Sequence, residues 1–283
     1  MDDVDLEDGP MPRRSLAGRY FDAIGHHWLG LIRTVEGVGA FALITLGVTV
    51  TKFNVASRVI HPLIGQQIRR AGIRLLPMVL FLGGALGLVI IGQTVALLSR
   101  VGAHEYIGTV MNSVVFRELG PLAAAMMVLG RVGTATVVEL GTKRARGEIE
   151  ALEALGIDPV HYLVVPRVVG LGLAIFSLTI YLILVIMLSG MLFAFLTDVP
   201  ITPADYFAQI ANGLTYRDFA FLAVKTVLFG TVIAVVTCYH GLAQPIRLEE
   251  VAEAATRAVS QSVTGCLVLD AVFILFYIIL GAA

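Results

Sequence analysis

The sequence has little charge: 14% of its 283 residues are Asp, Glu, Lys or Arg, whereas 57% are hydrophobic. Soluble domains carry about 25% charged residues, so the composition excludes an ordinary soluble enzyme and indicates an integral membrane protein. Twenty Lys and Arg against 21 Asp and Glu give a formal net charge of -1. This balance provides no basic field that could hold nucleic acid, and we predict no nucleic-acid partner.

Cysteine and catalytic motifs are also scarce. Cys238 and Cys266 lie in apolar stretches, where a thiol behaves as a small hydrophobe, and we assign neither a function. The six histidines form no HExxH motif, and the sequence contains no GxxxxGK[ST] phosphate loop. We therefore predict no catalytic residue, no metal site and no cofactor in this chain. Any energy that its function requires would come from another subunit or from a gradient.

Five segments are apolar enough to cross a bilayer, which requires about 20 residues of helix. Residues 75–98 and 168–197 contain no charge, and three further segments carry embedded charges: 106–142, 219–239 and 262–283. Residues 241–262, before the last span, are read as a loop. The sequence therefore predicts an all-α membrane protein with five transmembrane helices.

The N-terminal quarter has a different character. Residues 1–14 are acidic, lack the features of a signal peptide, and are predicted to be a disordered tail. Residues 15–74 are predicted to form an interfacial element: an amphipathic stretch over 15–33 with Trp28 as an aromatic anchor, and a short apolar run over 37–51. Basic residues flank both ends of that run, which favours a re-entrant helix over a span.

The distribution of basic residues also predicts the orientation. Arg69, Arg70 and Arg74 precede the first span, and Lys143 and its basic neighbours follow the second. The positive-inside rule then favours a cytoplasmic N-terminus. Between the second and third spans, Glu148 to Leu155 has the pattern of a short helix, with Ile149, Leu152 and Leu155 on one stripe, and Gly156 stands where a left-handed cap is needed.

The chain resembles the MlaE/YrbE-type permeases of MCE-associated lipid ABC transporters. The resemblance covers about residues 75–280 and is densest over RELGP (117–121), GRVG (130–133), ELGT (139–142), EIEALEALGIDP (148–159) and YLVVPR (162–167). It implies a homodimeric permease with five membrane helices and an N-terminal interfacial element, located in the bacterial inner membrane.

The resemblance also implies a function and a set of partners. The function would be to move phospholipid-like lipids between the inner membrane and a periplasmic MCE-domain protein. A separate cytoplasmic ABC ATPase would bind ATP and Mg²⁺, and a small STAS-type cytoplasmic subunit is a further possible partner. A coupling helix at about 145–158 would contact the ATPase through these residues: Glu148, Glu150, Leu152, Glu153, Leu155, Gly156 and Asp158.

Charged residues inside the spans are the main candidates for a site, because an unpaired charge there costs about 2.5–3.5 kcal/mol on insertion scales. Glu118 and Lys225 lie at comparable depth, and we expect them to pair, either as a structural ion pair or as a polar wall of a lipid cavity. Arg117 points about 100° away from Glu118 and could meet a headgroup phosphate or a partner protein. Pro121 should free carbonyl groups just below Glu118.

Other residues complete the predicted site. The cavity residues are Glu118, Lys225, Arg117, Gln93, Leu97 and Leu98, with Val95 as a further acyl-chain contact. Three embedded charges are assigned structural roles: Asp270, Arg131 and Glu139. Gly83, Gly84, Gly87 and Gly92 are expected to allow close helix approach.

Two other functions remain possible at this point. A gradient-driven secondary transporter of a hydrophobic substrate could use Glu118, Lys225 or Asp270 as a proton relay, although no internal repeat is visible. An integral-membrane lipid enzyme would need a nucleophile with a base or a metal cluster, and the sequence shows neither.

Overall fold

The computed structural model describes residues 36–49, 51, 57–103, 106–196, 202–242 and 247–281. The chain divides into two units, Met1–Leu43 and Ile44–Ala283. The predictions for the acidic tail and for the amphipathic stretch over 15–33 lie outside the described residues. Every regular element within the described residues is a helix.

Nine helical elements follow one another along the described chain, and we number them in order. They are α1 (Glu36–Thr49), α2 (Ser57–Ala71), α3 (76–100), α4 (Ile107–Ala145), α5 (Glu148–Ala154), α6 (Val160–Leu196), α7 (Pro203–Gly213), α8 (Tyr216–Leu242) and α9 (Leu248–Ile279).

Among the described residues, five helices are long and apolar enough to cross a membrane, as the sequence predicts. The first of these stretches runs over Ile60–Leu98 and joins α2 to α3. A 3-10 turn at Ile73–Leu75 separates the two, so the predicted boundary after residue 74 coincides with a change in helix geometry. The chain is therefore a multi-pass, all-α membrane protein.

Several helices are longer than their apolar segments. The last span was predicted to begin at Ser262, but α9 already begins at Leu248, so residues 248–262 are helical and not a loop. The acidic residues Glu249, Glu250 and Glu253 stand in the first turns, where they stabilise the positive end of the helix dipole. Hydropathy detects only the apolar part of a helix, the part that would lie in the bilayer. A helix can continue beyond that part into water.

The short apolar run over 37–51 corresponds to α1, which has 14 residues. At 1.5 Å per residue this helix is about 21 Å long, shorter than the ~30 Å hydrocarbon core. This length agrees with the expectation that the run is not a comfortable span. Its re-entrant course stays a prediction.

Helix α6 lies at the centre of the described bundle and packs against α2, α3, α4 and α8, while α8 also packs against α4 and α9. Glycines permit the closest approaches. A Cβ at Gly230 of α8 would lie 2.5 Å from the Cα of Gly172 on α6. Gly83, Gly87 and Gly92 of α3 likewise face α6 side chains or backbone, whereas Gly84 has nothing within 4 Å.

Helix α7 packs against the beginning of α4. The side-chain amide of the buried Asn112 donates to the carbonyl of Ile210 at 2.9 Å, and the hydroxyl of Tyr206 donates to the carbonyl of Met187 at 3.3 Å. Burial raises the pKa of Tyr206 to about 12. These contacts fix α7 across the ends of α4 and α6.

We expect Gly87→Ala to destabilise the chain and Gly84→Ala to leave its stability nearly unchanged. A Cβ at Gly87 would lie 2.5 Å from the Ile186 carbonyl oxygen and 1.9 Å from the Ser189 hydroxyl, and such overpacking costs about 1–3 kcal/mol. Thermal unfolding of the purified variants in detergent measures the difference. Equal melting temperatures for the two variants would contradict this packing.

Candidate functional site

Lys225 is the most buried charged residue among those described, with 1% of its surface exposed. Its ammonium group lies 2.8 Å from Oε2 of Glu118 and 2.7 Å from Oδ1 of Asp270. It also donates to the backbone carbonyl of Arg117 at 2.8 Å. The ammonium group thus donates two hydrogen bonds, to Glu118 and to the carbonyl of Arg117, and forms a second ion pair with Asp270. The predicted pair of Glu118 and Lys225 is therefore present, as part of a larger cluster.

The cluster joins three helices, with Glu118 on α4, Lys225 on α8 and Asp270 on α9. Asp270 was expected to pair with a neighbour, and the neighbour is Lys225. One ammonium against two carboxylates gives the cluster a formal charge of -1. The side chains of Lys225 and Asp270 are 2% and 11% exposed, but that of Glu118 is 30% exposed. Glu118 is therefore the member of this triad that presents a charge to the surroundings of the chain.

Pro121 lies four residues after the backbone acceptor of Lys225, the carbonyl of Arg117. In a regular α-helix the N–H of residue 121 would donate to the carbonyl of residue 117, but proline has no N–H. The carbonyl of Arg117 accepts from Lys225 in its place. A π-helical segment, Asn112–Leu119, ends directly before Gly120. Lys225 is therefore a donor to this carbonyl, whereas its release by Pro121 stays a prediction.

Arg117 has a partner that the sequence analysis did not identify. Its guanidinium lies 3.0 Å from Oδ1 of Asp218 and 5.0 Å from the ring centroid of Tyr277. Asp218 is 4% exposed, and its Oδ2 accepts from the backbone N–H of Thr215 at 2.9 Å. The spacing of Thr215 and Asp218 is that of a helix capping box, which could have revealed this residue. A headgroup contact for Arg117 stays a prediction.

The remaining predicted cavity residues lie on α3. Gln93 and Leu97 are exposed and Leu98 is partly exposed in the single chain. No side-chain hydrogen bond of Gln93 to another helix is present within the described residues. Val95 is completely buried, so the prediction that it contacts acyl chains is wrong. Whether Gln93, Leu97 and Leu98 contact lipid stays a prediction.

Glu139 forms a second charged cluster near the other end of α4. Its carboxylate lies 2.9 Å from Arg70 of α2, 2.9 Å from Arg167 of α6 and 3.5 Å from Lys143 of α4. Neither Arg70 nor Arg167 was recognised as a partner, because nothing in their spacing connects them to Glu139. Arg131, which was also assigned a structural role, is exposed.

Helix α5 connects α4 to α6 where the sequence predicts the coupling helix. Ile149 is buried, but Leu155 is 76% exposed, so the predicted common stripe of Ile149 and Leu155 is wrong. The helix ends at Ala154, one residue before Leu155, and Gly156 has the predicted left-handed conformation, with φ of 76°. Because the helix ends at Ala154 and the chain turns at Gly156, Leu155 projects from the surface.

The ends of α5 are held by polar contacts. Arg144 of α4 lies 3.2 Å from Glu150. Oδ1 of Asp158 accepts from the backbone N–H of Val160 at 3.0 Å, which anchors the beginning of α6. A cavity of about 330 Å³ runs along α5, and its wall includes Glu148, Leu152 and Leu155. The helix thus offers a groove and a projecting apolar residue to a protein partner.

Comparison with known proteins adds independent information. Residues 64–276 match the family model for the permease MlaE. A probable ABC transporter permease protein of Synechocystis sp. is 32% identical over 70% of this chain and 74% of its own length. The chloroplastic protein TRIGALACTOSYLDIACYLGLYCEROL 1 of Arabidopsis thaliana is 31% identical over 75% of this chain and 60% of its own. The intermembrane phospholipid transport system permease protein MlaE of Haemophilus influenzae is 26% identical over 78% and 84%.

We expect Lys225→Met to destabilise the chain more than Glu118→Gln. Methionine leaves two carboxylates without a cation, and breaking a buried ion pair in this way costs about 3–5 kcal/mol. Glutamine leaves the pair of Lys225 and Asp270 intact. Thermal unfolding of the purified variants in detergent provides the comparison.

The triple variant Lys225→Met, Glu118→Gln, Asp270→Asn serves as the control. It removes the unpaired charges, and we expect it to recover much of the stability that Lys225→Met loses. Equal losses for Lys225→Met and Glu118→Gln, or no recovery in the triple variant, would show that Lys225 does not hold the cluster together.

Proposed function

The chain belongs to the MlaE permease family, and we propose that it moves phospholipid-like lipids between the bacterial inner membrane and a periplasmic MCE-domain protein. Its relatives are named as ABC transporter permeases, so the coarser function is that of a transporter permease subunit and not of an enzyme. The observation that carries the proposal is the family match over residues 64–276. The lipid substrate is supported by the name of the Haemophilus relative, which is a phospholipid transport permease.

An ABC permease works with an ATPase subunit, and we propose that α5 is the contact. The exposed side chains of Leu155 and Ile157, at 76% and 41% exposure, provide an apolar knob. The acidic residues Glu148, Glu150 and Glu153 surround it on a helix whose N-terminus follows the left-handed Gly147. The pair of Arg144 and Glu150 ties α5 to α4, so a movement of α5 is transmitted to the helix that carries Glu118.

The triad of Glu118, Lys225 and Asp270 is proposed to form a polar wall of the lipid path. Because Glu118 is partly exposed while its cation is buried, a lipid headgroup with an ammonium or hydroxyl donor could approach the carboxylate. Arg117 lies next along the chain and is 34% exposed, and it could contact the headgroup phosphate. Gln93, Leu97 and Leu98 would lie along the same path.

The assembly follows from the same proposal. Two copies of the chain would enclose the path. The N-terminus and α5 would lie on the cytoplasmic side, a proposal supported by the basic residues near Lys143 and the positive-inside rule. The MCE-domain protein would meet the opposite ends of the helices. A small STAS-type subunit would bind on the cytoplasmic side with the ATPase.

Copurification with the ATPase from the host membrane tests the coupling contact. We expect Leu155→Asp to reduce the recovered ATPase at least tenfold, because a charge replaces the apolar knob. The matched control is Leu196→Asp, which makes the same change at a residue that is 68% exposed at the opposite end of α6. Undiminished ATPase with Leu155→Asp would place the contact elsewhere.

Reconstitution of the copurified complex in vesicles tests the activity itself. ATP should drive transfer of a fluorescent phospholipid, and transfer should stop without ATP. Transfer driven by a pH gradient with no ATPase present would instead support a secondary transporter and overturn the proposal.

A further inference from the structure

The cluster around Glu139 contains an excess of positive charge. Arg70, Lys143 and Arg167 all lie within 3.5 Å of the one carboxylate of Glu139. Three cations and one anion give a formal charge of +2. The three cations come from three different helices, α2, α4 and α6, so their convergence results from the tertiary structure.

A cavity of about 280 Å³ opens beside this cluster. All four charged residues line it, together with polar side chains that include Gln66, Gln67 and Tyr162. This lining differs from that of the apolar cavity between α8 and α9, whose wall includes Phe221 and Phe276. A polar, positively charged cavity fits an anionic ligand that carries several acceptor oxygens.

Arg167, one of the residues that line the cavity, has donor capacity that the described residues do not use. Arg167 is 4% exposed; one terminal nitrogen donates to the carbonyl of Leu163 at 2.7 Å and the other to Glu139 at 2.9 Å. Its Nε is buried and has no hydrogen-bond partner among the described residues. A buried donor without an acceptor is costly, and the remaining N–H groups of the two terminal nitrogens give Arg167 further donors for an anion in the cavity.

The two other cations can also serve a ligand. The side chains of Arg70 and Lys143 are 45% and 35% exposed, and each uses only part of its set of N–H donors on Glu139. Both can turn toward a ligand while Arg167 stays fixed. The site therefore combines one rigid buried guanidinium with two adjustable cations.

We propose that this cavity binds the phosphate of an anionic phospholipid headgroup, at a site separate from the triad around Lys225. Glu139 lies six residues before the end of α4, about 9 Å along the helix. Arg69, Arg74 and Arg144 make the same end of the bundle basic. Basic pockets between transmembrane helices at this level bind anionic headgroups. The bound phosphate would bridge α2, α4 and α6, and the inference does not depend on which substrate the permease carries.

Thermal unfolding of the full chain in lipid nanodiscs tests the proposal. Two kinds of disc are compared, one of phosphatidylcholine alone and one of phosphatidylcholine with phosphatidylglycerol. In a third condition, inorganic phosphate is added to the buffer of the phosphatidylcholine discs. We expect phosphatidylglycerol to raise the melting temperature of the wild type, and the double variant Arg70→Gln, Lys143→Gln to lose most of this rise. Arg69 is next to Arg70 in the chain but does not line the cavity. The control variant Arg69→Gln should therefore keep the rise in melting temperature caused by phosphatidylglycerol.

The variant Glu139→Gln distinguishes an anion site from a purely structural cluster. It removes the internal competitor for the three cations, so the rise caused by phosphatidylglycerol should become larger, even if the basal melting temperature falls. A structural cluster predicts no increase in this lipid response.

Besides an unchanged response in Glu139→Gln, three results would overturn the proposal. The first is an equal response to phosphatidylglycerol in the wild type and the double variant, and the second is an equal loss in Arg69→Gln. The third is a response to inorganic phosphate in phosphatidylcholine discs as large as that to phosphatidylglycerol, which would assign the site to free phosphate instead of a lipid.

Discussion

The ion pairs of Lys225 are the interaction on which the arrangement of the membrane helices depends. A lysine with 1% of its surface exposed in a transmembrane helix is tolerated only if its charge is compensated. Glu118 and the carbonyl of Arg117 accept its hydrogen bonds, and Asp270 forms a second ion pair with it. Because these groups come from α4 and α9, one side chain on α8 fixes the relative position of three helices. Pro121, four residues after Arg117, has no N–H to offer the same carbonyl.

Helix α4 carries both charged clusters, one around Glu118 and one around Glu139. The two residues are 21 positions apart, or about 32 Å along a helix, which is close to the ~30 Å thickness of the hydrocarbon core. Helix α5 begins three residues after α4 ends, so α4 connects the predicted ATPase contact to both clusters. A shift of α4 along its axis would therefore change the surroundings of Glu118 and of Glu139 together.

The sequence was sufficient for those features that depend on the bilayer. The number of spans, the pairing of Glu118 with Lys225 and the turn at Gly156 follow from hydropathy, from the cost of an unpaired charge and from backbone geometry. Features that depend on tertiary packing could not be predicted in the same way. The partnership of Arg70 and Arg167 with Glu139 and the burial of Val95 are set by how helices distant in sequence meet. The early beginning of α9 was missed because its first turns are polar, and hydropathy does not detect a helix that extends into water.

The central claim is that the triad around Lys225 has a transport role in addition to a structural one, and Glu118→Gln tests it most directly. This variant keeps the pair of Lys225 and Asp270 and so preserves the helix arrangement, while it removes the one partly exposed charge of the triad. The measurement is the rate of ATP-driven transfer of a fluorescent phospholipid by the reconstituted complex. We expect a folded complex whose transfer rate is at least tenfold lower than that of the wild type. A folded complex with an unchanged transfer rate would contradict the claim and leave the triad a structural role alone.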